Sequence, residues 1–399
     1  MTLTLTALRS RAVALAVACG LSGVCLAGPA VPVPGASAAG TWSSEVLSSS
    51  EAMGGGCAEQ LFVGVRGSGE PAPFGPTIAS VRDQLSATVP LRTTVVFVEY
   101  PAVSPHTMTQ EEAESQLLDQ DPVRAGYADS VARGVANLTE LVMWSAQSCP
   151  KQKVVLAGFS QGAQVITTAM GDPRVGGAVT TALLLGNPSH YPGQNVRELD
   201  QQVDTPAIGL AAALDYLRAK SLPTPTTDRR TAVHNLITHV FELQKGTVTT
   251  ADLAGTLQRT RAVLPAEGYA TTFSVCQSED MVCDAAPAMS RIMASSSTLS
   301  DEFSRSRTVH NGYGPLLARQ SLTEMARILN AGPSSSAPAP APAEATTSST
   351  ASSTPASMER AGKFVAQPWV AASLGALAMA VLWLVGSLVW RRFGGGASR

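Results

Sequence analysis

Positive charge is scarce and unclustered in this chain. Across 399 residues, 28 lysines and arginines face 30 acidic residues, the formal net charge is -2, and no basic stripe or aromatic-rich basic patch occurs. That argues against nucleic acid as a partner. Metal-site spacing is also missing: six cysteines are present, yet no Cys-x-x-Cys or His-x-x-x-His pair accompanies them, which weighs against zinc. Histidines number only five, at His106, His190, His234, His239 and His310, so any imidazole chemistry comes from that short set. Large apolar residues are few from 331 to about 363, where Ser, Thr, Ala and Pro dominate. Such a stretch cannot bury enough surface to fold.

These shifts in composition favour one large folded domain over the two or three that length alone allows. Residues 1–38 hold Arg9 and Arg11, an apolar run and Ala36-Ser37-Ala38, the form of a secretory signal with its cleavage site. Cys19 and Cys25 lie inside it and leave with it. Residues 39–332 are the expected folded domain and 333–367 a Pro/Ala/Ser/Thr-rich linker. Residues 368–390, uncharged and mostly apolar between Trp369 and Trp390, are the expected transmembrane helix, and 391–399 the expected cytoplasmic tail. Arg391 and Arg392 keep the tail inside, so the folded domain faces outward. A flexible linker of this length spans roughly 30 to 35 Å and holds the domain near its membrane.

Residues 154–162 organise the domain. They read as a short apolar run that ends in Gly158-Phe159-Ser160-Gln161-Gly162, and the helix-compatible residues 163–170 follow. A serine between glycines on a sharp strand-to-helix turn is a nucleophile candidate. Further strands are expected at 60–66, 94–100, 180–185 and 271–275, with helices at 77–87, 129–146 and 315–329 between and after them. Strands alternating with helices indicate α/β architecture, a three-layer sandwich around a central, mainly parallel sheet. Residues 194–268 read as a helical insert. His234 and His239, on or near its second helix, are spaced too awkwardly to share a ligand and read as structural or surface residues.

A serine nucleophile needs a base, and the base needs an acid to orient it. His310 is the histidine that follows the last expected strand, in a loop just ahead of the final helix. Asp280, between Cys276 and Cys283, is the favoured acid; Asp284 is its nearest rival, and Asp172 and Asp204 are weaker ones. After the signal leaves, Cys57, Cys149, Cys276 and Cys283 remain in an oxidising compartment, where three pairings are open and Cys57 with Cys149, Cys276 with Cys283 is favoured. Asn137-Leu138-Thr139 matches a glycosylation sequon on an expected helix.

Several of these stretches together resemble the cutinase family of serine esterases, an α/β-hydrolase fold. They are Arg66-Gly67-Ser68, Tyr100-Pro101-Ala102, Cys149-Pro150, the Gly158 to Gly162 motif, Glu279-Asp280 between Cys276 and Cys283, and His310-Asn311-Gly312-Tyr313, in the family's order. The resemblance implies Ser160 as nucleophile, His310 as general base and Asp280 as its acid, with both favoured disulfides. It also implies an oxyanion hole made by the Gln161 N–H and by Ser68. Neither cofactor nor metal is implied. The insert, a lid or a pocket wall, and the membrane anchor depart from small secreted cutinases. The expected activity is hydrolysis of carboxylic esters of lipophilic acyl chains at the cell envelope, without an obligate protein partner. The rivals are an acyltransferase with the same triad and a non-catalytic surface module that binds lipid.

Overall fold

The computed structural model describes residues 41–104, 110–122, 126–200, 207–244, 247–260, 271–285, 287–288, 291 and 296–331. The expected signal, linker, membrane span and tail (1–38, 333–367, 368–390 and 391–399) lie outside these residues, as do His106 and Asp204. Among the described residues no helix is long and apolar enough to cross a membrane.

The strands are β1 (Trp42–Ser48), β2 (Gln60–Val65), β3 (Thr93–Phe97), β4 (Lys153–Phe159), β5 (Thr181–Leu185) and β6 (Thr271–Val275). The helices are α1 (Ser49–Ala52), α2 (Pro76–Ser86), α3 (Gln110–Leu118), α4 (Gly126–Ser148), α5 (Gln161–Met170), α6 (Pro173–Ala178), α7 (Leu210–Ser221), α8 (Arg229–Gln244), α9 (Thr250–Thr260), α10 (Leu299–His310) and α11 (Arg319–Asn330). The strands form one sheet in the order β1-β3-β2-β4-β5-β6, every neighbouring pair parallel.

The near-continuous apolar strands follow from burial on both faces. In β4, Val154 and Leu156 point into one core with α4 and α5, while Val155, Ala157 and Phe159 point into the other, which α11 and α2 close. Successive side chains alternate between faces, so one strand serves two cores. Each fully buried aliphatic side chain contributes about 1.5 to 3 kcal/mol. The carboxyl ends of the central strands therefore emerge between two helical layers, where open α/β sheets hold their reactive loops.

Five elements, β1, α1, α3, α6 and α10, lie outside the sequence expectation. β1 falls in a serine-rich stretch and is only partly buried, so its strand state comes from pairing with β3 at the sheet edge. α3 contributes Leu117 and Leu118 to the insert's core, where they pack with Tyr216, Leu217 and Leu236. α10 has no apolar stripe; a capping box of Thr298 with Asp301 starts it. The final helix begins at Arg319 rather than 315, and the buried line of α4 runs through Ser130, Gly134, Leu138 and Leu141, with Val131 and Val135 only partly covered. The Asn137 side-chain amide donates to the Glu99 carbonyl at 2.6 Å, so the sequon nitrogen is already engaged within the fold.

Candidate active site

Ser160 follows β4 directly and caps α5, with φ 53 and ψ -119. A side chain rarely adopts a positive φ, at a cost of about 1 to 3 kcal/mol, and the surrounding packing maintains it here. The Ser160 N–H donates to the Leu185 carbonyl at 2.9 Å. Gly162 explains why the turn can be so tight: a Cβ there would sit 2.1 Å from the Val65 carbonyl oxygen. Only glycine lets α5 press this closely against the end of β2.

Opposite Ser160, the Cys276 and Cys283 sulfurs are bonded, and so are those of Cys57 and Cys149, the favoured pairing. The short bridge closes a loop in which Asp280 is fully buried. Oδ2 of Asp280 accepts from the Tyr313 hydroxyl at 2.9 Å and from His310 Nδ1 at 2.8 Å, and Oδ1 accepts from the Val282 N–H at 3.0 Å. The Ser306 hydroxyl stands at 3.5 Å from Oδ1. Tyr313 is itself fixed, accepting from the Gln277 N–H at 2.9 Å. Burial, and secondarily the charge on Asp280, push its phenol well above the ordinary value, so it remains a donor.

His310 is the last residue of α10, which corrects the loop placement expected from sequence. Its ring stacks on Phe159, the residue before Ser160, with centroids 4.7 Å apart. The approach to β5 is equally close. Gly186, at φ 56, leaves room for the imidazole, since a Cβ there would lie 2.9 Å from His310 Cε1 and 3.1 Å from Asp280 Oδ2. Nδ1 donates to the carboxylate, which leaves Nε2 as the acceptor. Nε2 is buried and has no hydrogen-bond partner, so the bond to Ser160 is not formed in this state.

Of the four aspartates considered, the structure brings Asp280 to His310. Asp284, directly after Cys283, is buried with Oδ1 unpartnered; burial first, then Glu279 and Asp280, push its carboxyl up to about 7. Asp172 caps α6 by accepting from the Arg174 N–H. The other described histidines sit elsewhere. His190 is buried with Nε2 3.3 Å from Glu198, desolvation lowering it to about 4. His239 contacts Glu242 at 2.6 Å, and His234 lies on α8 of the insert.

The turn after β2 is braced. Arg66 donates from Nε to the Glu70 carbonyl at 3.0 Å and from Nη1 to the Val98 carbonyl at 3.3 Å, and it also bonds the Tyr100 carbonyl. The Tyr100 hydroxyl returns a bond to the Arg66 carbonyl. Glu70 takes the Gly67 N–H at 2.6 Å, while the Gly69 N–H reaches the Ala102 carbonyl at 2.6 Å. Ser68 stands half-buried between those anchors. Burial raises the Glu70 carboxyl, with the Gly67 N–H and then His310 pulling the other way. On the facing side, Gln161 begins α5, where the first N–H groups have no partner within the helix. Its side chain is fully buried and donates to the Val103 carbonyl at 3.2 Å.

The insert reaches this site by its backbone. The Leu210 N–H at the head of α7 donates to the Val282 carbonyl at 3.0 Å, and the Ala285 N–H donates to the Ile208 carbonyl at 3.0 Å. Met281 of the disulfide loop and Ala285 just beyond it pack in the same apolar core as α7, α8 and α9. Sequence reasoning gave no role to Tyr313, Ser306, Glu70 or Arg291. Tyr313 carried a usable signal, three residues after His310 within one motif.

A hydroxyl on a strained turn, next in sequence to the ring on which an imidazole stacks, together with the buried carboxylate that anchors that imidazole and leaves its other nitrogen unpartnered, has the parts for nucleophilic acyl transfer. The family model described as Cutinase matches residues 56–294, which include Ser160 and Asp280 and stop short of His310. Among curated relatives, cutinase 4 of Emericella nidulans is 26% identical over 210 residues, 52% of this chain and 81% of that protein. Acetylxylan esterase 2 of Talaromyces purpureogenus is 32% identical over 101 residues, 21% of this chain, and the match spans only 41% of that esterase's length. The solved structure of a cutinase-like protein from Cryptococcus sp. aligns at 16% identity and TM-score 0.37, covering 68% of this chain and 94% of that one.

Proposed function

This chain belongs to the cutinase family and is a carboxylic ester hydrolase, and from that premise we propose that it cleaves esters of lipophilic acyl chains through an acyl-enzyme on Ser160. The observation that carries the reading is the 2.8 Å bond between His310 Nδ1 and buried Asp280, with Nε2 unpartnered and the ring stacked on Phe159, the residue before Ser160. Catalytic hydrogen bonds are often unformed before substrate arrives and tighten in the complex.

His310 Nε2 takes the Ser160 proton as Oγ attacks the ester carbonyl, and Asp280 holds the imidazolium in place. The oxyanion forms between the Gln161 N–H and Ser68, whose turn is already fixed by Arg66, Tyr100 and Glu70. The imidazolium gives its proton to the leaving alcohol oxygen. Water then loses a proton to Nε2 and attacks the acyl carbon, and the carboxylic acid departs as Ser160 recovers its proton.

The apolar sequence at 368–390 and the signal-like sequence at 1–38 support a tethered enzyme that faces outward and works on acyl esters of the cell's own envelope. The insert serves as a fixed wall of the pocket, because its backbone is joined to the loop that carries Asp280. A fluorophosphonate probe tests the chemistry. Labelling of the oxidised protein is expected to vanish in Ser160→Ala, and persistence of the same labelling would sink the reading. A series of p-nitrophenyl esters from acetate to palmitate tests the substrate class, with kcat/KM expected to rise beyond acetate; a maximum at acetate would point to a short-chain deacylase instead.

A further inference from the structure

Asp280 and His310 come from different segments, a loop closed by a disulfide and the last turn of α10, and nothing in the covalent chain fixes their distance. One side chain spans the gap. Arg291 Nη1 donates to Glu279 Oε1 at 2.9 Å, and Nη2 bonds the other Glu279 oxygen. The same guanidinium reaches Glu302 from Nε at 2.8 Å and from Nη2 at 2.7 Å. Glu279 immediately precedes Asp280 and holds φ 71, a strained conformation for a residue with a side chain. Glu302 lies in the first turn of α10, the helix that ends at His310, and its side chain is only 1% exposed.

Two paired carboxylates, one of them buried, distinguish this arrangement from a solvent-exposed ion pair, whose median contribution is small. A planar fork gripping a carboxylate on each side fixes orientation as well as distance. The Ser306 hydroxyl, on the same helix, adds a second tie by accepting from the Met281 N–H at 2.9 Å.

We propose that Arg291 is a positioning residue for ester hydrolysis: it locks the Asp280 loop against α10 and so sets the Asp280 to His310 bond. It touches neither substrate nor the reacting atoms. The inference rests on the roles given to Asp280 and His310 above.

Arg291→Met, Arg291→Lys, Asp280→Ala and the Arg291→Met/Asp280→Ala double variant are compared in the oxidised full chain on p-nitrophenyl butyrate. Arg291→Met is expected to lower kcat about 10- to 100-fold with KM within about twofold, and the lysine to recover part of the loss. Placed on Asp280→Ala, the methionine change is expected to alter kcat less than about twofold, because the group it acts through is gone. Wild-type kcat in Arg291→Met, or full multiplication of the two losses, overturns the proposal. Should the methionine variant not fold, Glu279→Gln gives the same reading from the other end of the fork. Undiminished kcat in Asp280→Ala overturns the triad assignment itself, a result distinguishable from any outcome at Arg291.

Discussion

Ser160 is carried by β4, a strand with neighbours on both sides and a core on each face, whereas Asp280 and His310 sit beyond the sheet on a disulfide loop and a polar helix. The nucleophile inherits its position from a central strand packed on both faces. The acid and base are held by particular links: one disulfide, the hydroxyls of Ser306 and Tyr313, the Arg291 fork, and the backbone of the insert. Position on the first side is inseparable from the fold, and on the second it depends on a few contacts that can be cut one by one.

Cutting the carboxylate itself has the largest expected effect. Asp280→Ala should lower kcat about 10^4-fold, the scale seen when a triad acid is lost. Steady-state kinetics on a short-chain ester reads it. On the nucleophile side, Gly162→Ala forces a methyl group against the Val65 carbonyl, so kcat and melting temperature should fall together, with about 3 kcal/mol or more lost. Thermal unfolding and kinetics on one preparation test this, and a fully stable but inactive variant would break the comparison.

The two disulfides sharpen it further. Their half-cystines are 92 and 7 residues apart, so by chain entropy the long bridge stabilises by about 4 to 5 kcal/mol and the short one by about 2 to 3. Serine replacement of Cys57 and Cys149 should cost the larger share of stability and spare kcat, while replacement of Cys276 and Cys283 should cost less stability and depress kcat about tenfold or more. Denaturant titration beside turnover decides the matter, and equal kcat losses would erase the distinction.

Asp284 gives the smallest effect. Its carboxyl ordinarily titrates near 3.8 and in the fold near 7, so between about pH 4 and 7 the unfolded chain has released a proton that the folded chain keeps. Stability contributed by this group is complete below pH 4 and is lost as pH rises through 7. Asp284→Asn should therefore raise the melting temperature at pH 8 by a few degrees and leave it little changed at pH 4. A flat difference across that range would remove Asp284 as the cause.

Much of the sheet and of the nucleophile was readable before any coordinates. β2, β3, β4, β5 and β6 are short apolar runs, and the Gly-x-Ser-x-Gly turn is local, its requirements met by neighbours in sequence. α10 escaped because its stabilising features are a capping box, Glu302 and Ser306, none of which repeats at helical spacing as an apolar stripe. β1 escaped because an edge strand takes its conformation from its partner.

The sequence by itself determined the stock of chemistry: one serine on a tight turn, a handful of histidines, and aspartates near a late strand. Asp280 and Asp284 are chemically identical and four residues apart, so the place between Cys276 and Cys283 ranked Asp280 first without excluding Asp284. The tertiary structure decided between them by surrounding one carboxylate with the donors of Tyr313, Val282 and His310 and leaving an oxygen of the other without a partner. A buried charge persists only where donors converge on it, and convergence of distant segments is a property of the folded chain.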